Sequence, residues 1–137
     1  MSLQVEIVTP EGKLLSREVD SVIIPTELGE TGILPGHVPL LAKVVRGELR
    51  LTQGVETDRI AVDKGFAEVI GSRVAILVEG AVDIDDVDLG TIEAAQKRAE
   101  EALEAAKNQN MDPSEIEQME TRLQFLMAQK LMKNPRA

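Results

Sequence analysis

Hydrophobic positions recur every second residue through the first part of the chain and every third or fourth residue through the last. Leu3, Val5 and Ile7 alternate with Gln4, Glu6 and Val8, and Leu49 and Leu51 alternate with Glu48, Arg50 and Thr52. A period of two sends one row of side chains to a buried face and the next to water, so these segments are predicted strands. Val22-Ile23-Ile24 and Val74-Ala75-Ile76-Leu77-Val78 are continuous apolar runs, the pattern of strands covered on both faces. Pro10-Glu11-Gly12, Gln53-Gly54 and Gly71-Ser72 punctuate the runs as turns. Short strands spaced in this way predict a β-sandwich or barrel.

The period changes near Ile84. Ile92, Ala95, Ala99, Ala102, Leu103 and Ala106 fall at steps of three and four, which predicts one apolar face of a helix. Asn108-Gln109-Asn110-Met111 interrupts that pattern, and Asp112-Pro113-Ser114-Glu115 restarts it. Asp112 suits a cap, Pro113 the first helical position, and Glu115 a capping box. Ile116, Met119, Leu123, Met127 and Leu131 form the second predicted stripe. Two helices so closely joined predict an antiparallel hairpin. The chain therefore reads as a β unit over 1–83 and a helical hairpin over 84–137. A hairpin of that size buries little by itself. It is either docked permanently or, with two docking options of similar free energy, a switch.

Composition narrows the function. The chain has 137 residues and two aromatics, Phe66 and Phe125, so its core is aliphatic and it lacks the stacking platform of a single-strand nucleic-acid reader. A net charge of −9 opposes binding to nucleic acid or anionic lipid. There is no cysteine, which removes disulfides, thiolate nucleophiles and cysteine–zinc sites. The opening residues lack a basic segment followed by an apolar one, so no secretory signal is expected. No apolar run approaches the roughly 20 residues that span a bilayer, so no direct membrane insertion is expected. His37 is the only histidine, and no serine sits in a Gly-x-Ser-x-Gly setting, so no catalytic constellation is predicted. The cluster Asp83, Asp85, Asp86 and Asp88 lacks the mid-loop glycine and terminal glutamate of a calcium loop, and reads as a helix start and hinge. No metal or cofactor is expected.

The segment Gly32-Ile33-Leu34-Pro35-Gly36-His37-Val38-Pro39-Leu40-Leu41 packs two glycines, two prolines and the lone histidine into ten residues. By turn chemistry it is a pair of β-turns; as a rigid loop it is equally a shaped contact surface. With Glu30 and Thr31 before it, this segment closely resembles the epsilon subunit of bacterial F-type ATP synthases. Gly65-Phe66-Ala67-Glu68-Val69, the Val74–Val78 run, Glu79-Gly80-Ala81 and the opening Val5-Glu6-Ile7-Val8-Thr9-Pro10 are similar to the same family. The resemblance covers nearly the whole chain. It implies an N-terminal β-sandwich of about ten strands followed by a C-terminal two-helix hairpin. It also implies a non-catalytic rotor-stalk subunit of a proton-translocating complex, peripheral on the cytoplasmic face of the bacterial plasma membrane. The implied partners are the gamma subunit and the membrane c-ring for the β unit, and the catalytic beta subunit when the helices extend to restrain hydrolysis.

The same resemblance marks Glu30, Gly32, Ile33, Pro35, Gly36 and His37 as contacts toward the c-ring. For His37 the alternative is a satisfied loop histidine. Arg122, Lys130, Lys133 and Arg136 make the tail after Glu120 basic. They complement either the negative end of the second helix or an acidic partner. Two departures stand out. Lys64-Gly65-Phe66 replaces a Gly-Gly-Phe-like turn, which leaves that turn's geometry open. Val87-Asp88-Leu89-Gly90-Thr91-Ile92 stands where ATP-binding members carry Ile/Leu-Asp-x-x-Arg-Ala. Asp88 and Arg122 are then the weak candidates for an ATP site, and the alternative function is a nucleotide-sensing switch. An unrelated β-sandwich binding module is the third reading.

Overall fold

The computed structural model describes residues 2–134, and Arg136 lies outside them. The chain divides into two compact units, one ending at Asp83 and one beginning at Ile84. The first unit holds ten strands: β1 (Leu3–Thr9), β2 (Gly12–Val19), β3 (Ser21–Thr26), β4 (Gly29–Ile33), β5 (Leu40–Val44), β6 (Gly47–Gln53), β7 (Glu56–Val62), β8 (Gly65–Ile70), β9 (Arg73–Val78) and β10 (Ala81–Asp83). They hydrogen-bond in the order β10-β7-β6-β3-β5-β8-β9-β1-β2, with β4 on β3. Only β1 and β9 pair in parallel among the described strands.

The sheet folds over between β3 and β5, where a single residue pair, Thr26 opposite Val44, keeps it continuous. One layer is then β10-β7-β6-β3-β4 and the other β5-β8-β9-β1-β2. Between them lies an aliphatic core in which Leu3, Val5, Ile7, Val74 and Ile76 meet Val22, Ile24, Leu49, Leu51 and Ile60. An ion pair from Arg17 on β2 to Asp58 on β7 joins the layers on another side. Fully burying each of these side chains is worth about 1.5–3 kcal/mol, so the core dominates the unit's stability. The continuous apolar runs do not have both faces covered. Val74, Ile76 and Val78 are buried, but Leu77 between them is exposed. Likewise Ile23 is only half-buried between Val22 and Ile24. Alternation of the pleat decides which side chains enter the core, whatever their polarity.

Gly65 marks the closest backbone approach in this unit. It pairs with Val78, and a Cβ there would lie 2.0 Å from the Leu77 carbonyl oxygen and 2.7 Å from the Val78 Cα. Lys64 before it needs no left-handed backbone, because Asn110 is the one non-glycine residue with positive φ among the described residues. Its amide donates to Asp63 at 2.9 Å, so lysine fits the turn where the family resemblance suggests glycine.

The second unit begins with a 3-10 turn over Ile84–Asp86, followed by α1 (Leu89–Asn108) and α2 (Pro113–Lys133). Asp88 caps α1 by accepting from the Thr91 amide at 2.7 Å. α1 ends in a Schellman arrangement: Asn110 takes φ 54°, and Met111 N–H donates to Ala106 O at 3.2 Å. Asp112 caps α2 through the Ser114 amide and hydroxyl, both at 2.9 Å, with Pro113 opening the helix. Glu115 donates its amide to the Asp112 carbonyl at 3.0 Å.

Both predicted helical stripes are partly corrected. Ile92, Leu103 and Ala106 are buried, but Ala102 is exposed. On α2, Met127 and Leu131 are exposed while Gln129 is buried. Three successive steps of four residues rotate a position by about 120° around a helix of 3.6 residues per turn, so the row Met119, Leu123, Met127, Leu131 spirals off the buried face. We expect Gly65→Ala to destabilise the chain by roughly 3 kcal/mol through overpacking against backbone, lowering the melting temperature by about 10 °C. Thermal unfolding followed at 215 nm checks this, and an unchanged midpoint would contradict the close approach.

Candidate interaction surfaces

The β4–β5 connection is a type II turn. Pro35 and Gly36 occupy its centre, Gly36 has φ +89°, and His37 N–H donates to Leu34 O at 3.1 Å. His37 Nδ1 lies 2.6 Å from the Val38 carbonyl, which assigns the ring proton to Nδ1. The histidine is thus held by its own loop. Ile33 is fully buried in the core and cannot be a surface contact, which corrects its place among the candidates. The strand pleat turns it inward, opposite Val22. The loop instead exposes Leu34 and Val38.

Glu30 sits near the start of β4, while His37 lies beyond its end. The two are not brought into contact. The Glu30 carboxylate accepts from Arg50 at 2.5 Å, and Arg50 and Arg59 both approach Glu48, at 3.9 and 3.8 Å. Arg50 and Arg59 are direct cross-strand partners, so Glu30 and Glu48 separate two like charges that would otherwise repel. Gly32 is exposed, and Pro35 is half-buried.

A further group of exposed apolar side chains lies on the outer face of the second layer. Leu41 is 72% exposed, Phe66 55%, Ile70 58% and Leu77 51%. The register sets Phe66 directly opposite Leu77, while Leu41 stands opposite Glu68 and Ile70 opposite Arg73. Lys43 stands opposite Phe66. An open depression of about 490 Å³ adjoins Phe66 and is lined in part by Glu27, Lys43, Arg46, Lys64 and Glu79. Balanced charge around an apolar centre is the composition of a protein-binding face. The sequence did not single out this exposed face. The signal for it was the Val74–Val78 run, apolar on both faces although the core occupies only one.

The helical unit separates the ATP-site candidates. Arg122 lies eleven residues before Lys133 on α2, which is about 16 Å along the axis. The cation brought toward Asp88 is Lys133, whose Nζ donates to Ile84 O at 3.0 Å. Arg122 is exposed, and Lys130 is half-buried. The Asp88 carboxylate is engaged in capping. Hydrogen bonds from the Thr91 amide, foremost, then from the Thr91 side chain and the Gly90 amide, hold its pKa below the ordinary 3.8, with Lys133 adding attraction. The Ser114 amide and hydroxyl do the same for Asp112. Among the described residues no cluster of acidic or histidine side chains is arranged to hold a metal, and no helix is long and apolar enough to cross a membrane.

Residues 2–84 match the family model described as "ATP synthase, Delta/Epsilon chain, beta-sandwich domain". The ATP synthase epsilon chain of Halalkalibacterium halodurans is 43% identical over 81% of this chain and 84% of its own length. That of Geotalea uraniireducens is 45% identical over 74% of this chain and 73% of its own. Among solved structures, a chain of the Euglena gracilis mitochondrial ATP synthase, resolved as OSCP, F1 and c-ring, superposes with a TM-score of 0.68. It is 24% identical, over 96% of this chain and 81% of that one, and shows the same fold.

The depressed carboxylates make a pH prediction. A folded-state pKa below the unfolded value gives stability that is present above the unfolded value and lost as pH falls through the folded one. Helical ellipticity at 222 nm is therefore expected to hold down to about pH 4 and to decline below it. Asp88→Asn with Asp112→Asn keeps cap acceptors but should flatten that decline. An unchanged acid profile in the double variant would refute the role of the caps.

Proposed function

The chain belongs to the ATP synthase delta/epsilon family, and we propose on that premise that it is the non-catalytic rotor-stalk subunit coupling gamma to the c-ring of a proton-translocating F-type ATP synthase. The observation that carries this reading is the apolar part of the outer face of β5, β8 and β9, centred on Phe66 and Leu77. A face of that composition is costly to leave in water and is suited to a permanent protein partner. We assign it to gamma. The exposed Leu34 and Val38 on the rigid type II turn, with Pro35, Gly36 and His37, are assigned to the polar loops of the c-ring. Glu30 reaches that partner only by sharing or giving up Arg50.

The helical unit restrains ATP hydrolysis in this reading, with the cations Arg122, Lys130 and Lys133 of α2 meeting an acidic surface of the catalytic beta subunit. The complex works peripherally at the cytoplasmic face of a bacterial plasma membrane. The nucleotide-sensing alternative receives no support from the site geometry. Asp88 is occupied as a cap, Thr91 stands where the motif has arginine, and Arg122 is far along α2.

Two outcomes follow. Leu77→Glu or Phe66→Glu should weaken association with purified gamma at least about 100-fold, since each loses apolar burial and desolvates a charge. Circular dichroism should remain that of the parent, because both side chains point away from the core. Undiminished copurification with gamma would sink the assignment of this face. For nucleotide, an arginine–phosphate contact is worth about 1.5–3 kcal/mol, so calorimetric titration of the isolated chain with ATP should give no micromolar site. A micromolar dissociation constant would restore the sensor reading.

A further inference from the structure

The geometry points to Lys133 as a latch that closes the open end of the helical hairpin. Lys133 is the last residue of α2, and the hairpin turn lies at the other end of the unit, around Asn110. Its ammonium donates to the carbonyl of Ile84, forty-nine residues earlier, at 3.0 Å. Ile84 is the first residue of the unit and is fully buried. The contact therefore ties the end of the second helix to the start of the segment that leads into the first. Lys133 also attracts the Asp88 carboxylate that caps α1. It follows the buried Gln129 by four residues, so it continues the inward face of α2 that Met127 and Leu131 leave. Near the turn, Lys107 of α1 and Glu120 of α2 approach to 3.8 Å. The hairpin is thus fastened by a cation near both ends.

The two fasteners differ in kind. Lys107 and Glu120 are both well exposed, and pairs of that sort contribute little. Lys133 makes a charge-assisted bond in a partly buried setting, to a carbonyl that separation of the helices would leave without this donor. Moving the end of α2 away from the Ile84–Asp86 turn that leads into α1 breaks that bond, and the ammonium is committed inside the unit for as long as the two stay together. Lys133 therefore biases the hairpin toward its closed state. Only the meaning of the open state, in which the cation is released toward an acidic partner, rests on the function proposed above.

The test uses the full chain, free of partners, so its outcome is independent of the rotor assignment. The sequence has no cysteine, so spin labels at Glu93→Cys and Met127→Cys report on the two helices alone. With K133Q, we expect a second population at longer distance and roughly 10–100-fold faster amide exchange over residues 89–95, in line with loss of one charge-assisted bond. Exchange over Leu3–Thr9 should be unchanged and serves as the internal reference. K133R, which keeps donors at this place, should stay near the parent, and R122Q, which removes an equal charge elsewhere on α2, should match it. Identical distances and exchange in K133Q and the parent would overturn the latch. Equal opening in R122Q and K133Q would overturn it too, by showing that net charge rather than this contact is responsible.

Discussion

One buried carboxylate, Asp63, gathers one end of the β unit. It is 4% exposed, yet it accepts from Arg46 Nε at 3.1 Å and from the Lys64 amide at 2.9 Å, while its own amide donates to Gly80 O at 2.9 Å. Three chain reversals therefore meet on one residue: β5 to β6, β7 to β8, and β9 to β10. A carboxylate in that position is tolerated only because its acceptors are filled, and removing one partner of such a pair costs about 3–5 kcal/mol. Exposed pairs such as Lys13–Glu6 contribute at most about 1 kcal/mol. The close backbone approach at Gly65 follows two residues later, and the exposed Phe66 follows that. The fastening of this end and the placement of the apolar face are thus consequences of one short stretch, Asp63 to Phe66.

The two faces of the second layer divide the work. The inward rows of Val5, Ile7, Ala67, Val69, Val74 and Ile76 stabilise the unit through burial. The outward pair of Phe66 and Leu77 adds nothing to that core. The pleat allows this because alternate residues of one strand face the core and the outer surface independently. The first layer treats its outer face differently. There Glu30, Arg50, Glu48 and Arg59 form an alternating charged ladder, which keeps that part of the surface hydrated.

The helical unit is built with weaker means. Its buried set is small, namely Ile84, Ile92, Leu103 and Ala106 with the polar Gln129, and much of α1 is alanine and glutamate. Capping by Asp88 and Asp112, the Asn110 turn and the Lys133 contact carry a large share of what defines it. Hydrogen bonds and caps of this kind are each worth about 1 kcal/mol or little more. An element held by a few such terms is readily rearranged, which suits the regulatory part proposed for it.

The sequence by itself determined the kind of elements and their order, because periodicity, caps and turn residues act over only a few residues. The switch from a two-residue to a helical period at Ile84, the Asp112-Pro113 start and the Pro35-Gly36 turn were all legible in this way. So was the family, from the order of residues around Gly36 and Phe66. Tertiary structure decided what depends on which side a residue faces and what lies opposite it. Ile33 lies in the core, Leu77 is exposed although it sits in an apolar run, and Glu30 is paired with Arg50 across β3. Lys133, rather than Arg122, stands by Asp88, because the antiparallel course of the hairpin places the end of α2 beside the start of α1. These pairings join residues tens of positions apart, and only the folded register brings them within the few ångströms over which hydrogen bonds and ion pairs act.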